Sequence, residues 1–76
     1  MPKPFDAHDD QERSEIRAVL EELPKEHPAW AACREGADAI RLSHLVDGRK
    51  DLIERLTEAW LGGYRRMLRR HAHFRP

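Results

Sequence analysis

From Leu52 onward the apolar residues keep a single 3.6-residue phase without a slip: Leu52, Ile53, Leu56, Ala59, Trp60, Gly63, Tyr64, Met67, Leu68 and His71. A stripe of that length is the mark of an amphipathic helix, because a strand repeats every two residues. It predicts a helix from about Arg49 to His71 that passes through Gly62 and Gly63, although each glycine costs about 1 kcal/mol relative to alanine. Gly63 falls on the stripe itself, where a missing side chain lets another helix approach closely. The rest of the chain must supply the cover for this stripe.

Two shorter helices are expected upstream. Asp9 or Asp10 offers an acceptor to the free first-turn amides, and Ile16, Val19, Leu20 and Leu23 repeat at i, i+3, i+4, i+7, giving a helix from Asp10 to Leu23 that Pro24 ends. Pro28 suits the first position of a second helix running to Val46. Its stripe of Trp30, Cys33, Ala37, Ile40 and His44 leaves Leu42, Leu45 and Val46 well around the cylinder. Either the helix breaks near Ser43 or it carries a second apolar face, and Gly36 is another break point. Asp47 and Gly48 form the turn into the last helix. The expected fold is therefore all-α: a small three-helix bundle with a long C-terminal helix, or four helices if the second one breaks. Trp30, Ile40, Leu56 and Trp60 are placed in its core. Residues 1–8, with two prolines and no periodicity, read as a mobile lead-in that Phe5 can pin; 9–71 is the helical domain and 72–76 a frayed tail.

Seventy-six residues allow one domain, one that buries about 60% of the surface its unfolded chain exposes. Hydrophobic residues make up 39% and charged ones 37%, enough apolar material for a modest core. The single cysteine, Cys33, excludes an internal disulfide. Met1 to Asp10 lacks the apolar run of a secretory signal and no stretch is long and apolar enough for a membrane span, so a cytoplasmic protein is expected. The five histidines and Cys33 share no ligand spacing, carboxylate pairs such as Glu21 and Glu22 face solvent, and no glycine-rich loop joins a strand to a helix. No metal, no cofactor and no enzymatic activity are expected.

The net charge of zero conceals a gradient: residues 1–26 carry −4, residues 27–58 carry −1 and residues 59–76 carry +5. An acidic first helix lying beside a basic last one accounts for this, as does a nucleic-acid-binding tail. For DNA the candidates are Arg65, Arg66, Arg69 and Arg70, spaced to bridge phosphates. A helix-turn-helix over Ala39 to Leu45 and Arg49 onward fits poorly, since His44 falls where a small residue is needed. For a protein partner, or for homo-oligomer formation, the candidates are the off-stripe residues Leu42, Leu45, Val46 and Leu61, with Tyr64 at the edge.

The stretch from Asp51 to Leu68, most specifically the Gly62, Gly63, Tyr64, Arg65 run, resembles the closing helix of a helix-turn-helix-like domain family. That family occurs in transcriptional activators of bacterial integrative and conjugative elements, systems that also encode very small helical antiactivators. The resemblance does not extend upstream, where no helix-turn-helix segment is found between Arg13 and Val46. It implies a small regulator in a mobile-element or quorum-sensing circuit, acting by contact with a transcriptional regulator.

Overall fold

The structure, a computed structural model, describes residues 7–72. Four helices follow one another: α1 (Asp10–Leu20), α2 (Pro28–Arg34), α3 (Ala39–Leu45) and α4 (Lys50–Ala72). There is no strand among the described residues, and the fold is a small all-α bundle with a long C-terminal helix. The 23-residue α4 is the platform: α1 and α3 lie against it, and α2 packs on α3. None of these helices is long and apolar enough to cross a membrane. Of the lead-in expected at 1–8 and the tail expected at 72–76, residues 1–6 and 73–76 lie outside the described residues, and Ala72, expected in the tail, is the last residue of α4. Ala7 and His8, expected in that lead-in, are partly buried, and Ala7 packs against the core.

Local chemistry sets each boundary. Asp9 caps α1, its carboxylate accepting the Glu12 amide at 2.8 Å. The helix stops at Leu20 rather than Leu23, and the chain tightens into i→i−3 bonds from Glu22 to Val19 and from Leu23 to Leu20. Pro24 accounts for this, because it pushes the residue before it out of the helical region. Leu23 nevertheless stays buried. His27 caps α2, its Nδ1 accepting the Ala29 amide, with Pro28 at the first position.

The expected helix from Pro28 to Val46 is two helices, and the break comes at Gly36, not at Ser43. Gly36 takes φ 103°, a left-handed conformation that closes α2, and the Asp38 carboxylate then accepts the Arg41 amide to start α3. The phase restarts there. Ala39, Leu42, Ser43 and Val46 recur at i, i+3, i+4, i+7 and turn inward, so Ile40 is exposed where a core position was expected. The core is built from Ile16, Val19, Leu20 and Leu23, from Leu42 and Val46, and from Leu52, Leu56 and Ala59 of α4. Trp30 and Trp60 pack against it while remaining partly exposed.

Candidate interaction face on the last helix

The apolar arc of α4 is wider than its neighbours cover. Leu52, Leu56, Ala59 and Gly63 face the bundle and are buried. Beside them runs a second line of Leu61, Tyr64 and Leu68 at i, i+3, i+7, which are 36%, 37% and 48% exposed. Ile53, Thr57, Trp60 and Met67, all half-buried, join the two lines. Of the five residues expected to form a partner surface, Leu61, Tyr64 and Leu45 are exposed. The expectation for Leu42 and Val46 is corrected: Leu42 in α3 and Val46 at its C-terminal cap are both fully buried, for the reason of phase given above. Leu68, which the stripe had placed with the core, is the most exposed large apolar side chain among the described residues, because α1 and α3 both pack on the side of α4 that carries Leu52, Leu56 and Ala59.

The start of α1 stiffens this face. Trp60 and Tyr64 are stacked, with ring centroids 5.2 Å apart and planes within 8°. His8 stands edge-on to both, at 5.5 Å and 5.9 Å. His8 is itself held by Glu12, whose Oε1 accepts the His8 amide at 2.9 Å and lies 2.7 Å from the ring Nδ1. Glu12 is buried, and its carboxylate occupies the space that a side chain at Gly63 would fill. The close approach expected at Gly63 is thus made by a carboxylate from α1.

The basic end of α4 is drawn into the same junction. Arg66 forms a two-pronged pair with Asp9, its Nη2 donating to Oδ1 at 3.0 Å. Arg70 donates to the His8 carbonyl and reaches within 3.9 Å of Asp9. Arg65 and Arg69 point to solvent. Of the four arginines considered for phosphate contact, Arg66 and Arg70 therefore serve the α1–α4 junction. Glu22 and Arg55 pair farther along it, so the acidic first helix lies beside the basic last one.

The hydrogen bond from Arg66 holds the Asp9 carboxyl at a pKa of about 2, against an ordinary value of 3.8; burial opposes the shift, while the Glu12 amide and the charges of Arg66 and Arg70 add to it. A lowered folded-state pKa stabilises above the unfolded value and ceases to do so as pH falls through the folded one, so this contribution fades between about pH 5 and pH 2. Asp9→Ala should cost about 1 to 2 kcal/mol at neutral pH through the lost cap and ion pair. Its melting temperature should also fall less steeply than the parent's on acidification. Identical slopes for the two proteins in acid melts would contradict the pairing.

Elsewhere the chemistry is sparse. Cys33 is partly buried against the core, and that burial raises its thiol pKa although Arg17 and Arg34 pull it down. No cluster of three or more His, Cys, Asp or Glu among the described residues is placed to hold a metal ion. Comparison with protein families, with curated proteins and with solved structures finds no match for this chain.

Proposed function

We propose that this protein is a small helical regulator that acts in the cytoplasm by binding another protein, a transcriptional regulator, through the exposed face of α4. The observation that carries the reading is the line Leu61, Tyr64 and Leu68, three large apolar side chains exposed on one rigid helix beside the stacked Trp60. An apolar helical face with an aromatic anchor is what helix-in-groove recognition uses. Tyr64 is well suited as that anchor, since stacking and the His8 edge contact fix its ring before any partner arrives. The resemblance of Gly62 to Arg65 to domains of mobile-element activators supports a transcriptional regulator as the partner, in a conjugative-transfer or quorum-sensing circuit where very small helical proteins act as antiactivators.

The test is capture of the partner from the native host, its identification by mass spectrometry, and titration of the purified pair. Leu61→Ala and Tyr64→Ala should each weaken binding by about 1 to 3 kcal/mol while leaving the melting temperature nearly unchanged. Binding indifferent to both substitutions, or a partner with no role in transcription, sinks the reading.

A further inference from the structure

The exposed line of α4 has an order of charge along it that suits one particular occupant. Set out as a heptad seam, Glu54, Leu61 and Leu68 take one core position and Thr57, Tyr64 and His71 the other. The half-buried Trp60 and Met67 flank the seam on one side, and the exposed Glu58 and Arg65 flank it on the other. The acids Glu54 and Glu58 precede Leu61, while the bases Arg65 and Arg69 follow it. Such an order is complementary to itself reversed.

A second α4 laid antiparallel, about a twofold axis between Gly62 and Gly63, sets Leu61 of one copy against Tyr64 of the other and Thr57 against Leu68. The same register sets the exposed Glu54 opposite His71 and, on the flank, brings Glu58 within about two residues, roughly 3 Å along the axis, of Arg65, near enough for their long side chains to pair; twofold symmetry repeats each contact. A parallel arrangement instead turns the Glu58 and Arg65 flank toward Trp60 and Met67, leaving those charges without opposites. We propose that two copies of this chain pair antiparallel through this face and that the pairing regulates the partner site by covering it. The regulatory half rests on the function proposed above; the pairing itself does not. The seam from Glu54 to His71 is about 26 Å long at the rise of an α-helix. A contact of that size belongs at the small end of specific interfaces, so the dimer is weak, with a dissociation constant of about micromolar order. Its rim charges fix orientation more than they add affinity.

Sedimentation equilibrium of the full chain, from about 1 μM to about 1 mM, tests the pairing and should show a reversible monomer–dimer equilibrium. Glu58→Arg alone places like charges near each other twice and should weaken the dimer about tenfold, as should Arg65→Glu alone. The double variant, Glu58→Arg with Arg65→Glu, should recover to within about threefold of the parent. Both side chains are exposed, so circular dichroism should show every variant folded. A parent that stays monomeric throughout, single swaps without effect, or a double variant as weak as the singles overturns the antiparallel pairing. A monomeric parent that still binds a regulator through Tyr64 overturns the pairing and leaves the function standing. A dimer that behaves as described, but whose monomeric variants bind no regulator, keeps the pairing and overturns the function.

Discussion

Gly63→Ala is expected to destabilise the protein by about 2 to 4 kcal/mol, whereas Gly62→Ala, one residue away, should stabilise it by about 0.5 to 1 kcal/mol. Both glycines lie inside α4 and cost the helix the same backbone entropy. Their surroundings differ. The atoms nearest a methyl group at Gly62 belong to the Arg66 guanidinium, at 3.2 Å; it is paired with Asp9 but sits at the end of a long side chain and needs to give by only a few tenths of an ångström. At Gly63 a methyl overlaps the Glu12 Oε1 and lies 3.0 Å from Glu12 Cδ and 3.2 Å from Glu12 Cβ. Moving the carboxylate aside breaks its bonds to the His8 amide and ring, and the Cβ contact makes α1 itself give way. Urea denaturation of the two single variants reads the opposite signs directly. Adding Glu12→Ala to Gly63→Ala should remove the part of the penalty due to the carboxylate, because the new methyl then fills the space it vacates, and leave the smaller part due to the Cβ contact. Two glycines that respond alike would mean that α1 does not approach α4 as described.

Leu42→Ala should cost about 2 to 5 kcal/mol, a loss large enough to leave so small a domain partly unfolded at ordinary temperatures. Leu42 is wholly buried between α3 and the platform helix, and removing three of its carbons opens a cavity that the short, capped α3 cannot readily close. Leu61→Ala, by contrast, trims a side chain that is already 36% exposed and should change stability by about 0.5 kcal/mol or less. Thermal melts of the two variants side by side separate core from surface. A Leu42→Ala protein that melts with the parent would place α3 away from the core.

The contrast also shows where the sequence is legible. The bounds of α4 were readable within a residue or so because twenty residues in one phase leave no competing period, and α1 was readable from its acidic cap and four apolar positions. The middle of the chain was not. Two helices of seven residues each carry too few apolar positions to announce separate stripes, and counting the phase through Gly36 rotated Leu42 and Val46 out to the surface and Ile40 into the core. The signal that corrects this was present: Gly36 followed by Asp38, a helix stop and a helix cap two residues apart. At the candidate face, periodicity identified Leu61 and Tyr64 but could not divide the α4 arc into covered and uncovered halves, since that depends on where α1 and α3 approach. Nor does a run of arginines disclose which of them meets Asp9. Glu12 was the hardest to foresee, an acid in the apolar phase of Ile16 and Val19 that is accommodated only because Gly63, far along the chain, has no side chain.

The junction between Asp9 and Arg66 spans 57 residues of chain, and it dictates the order in which the molecule is assembled during synthesis. α3 and α4 are neighbours in sequence and close on each other through a short turn, a contact with little loop entropy to overcome. α1 is made first but joins last. Until the residues of α4 have been added, Ile16, Val19 and Leu20 lack the partners they bury against, so a nascent chain halted before that point carries an undocked, sticky α1. The residues of α4 around Gly63 and Arg66 are the ones that let the much earlier segment from His8 to Leu20 dock.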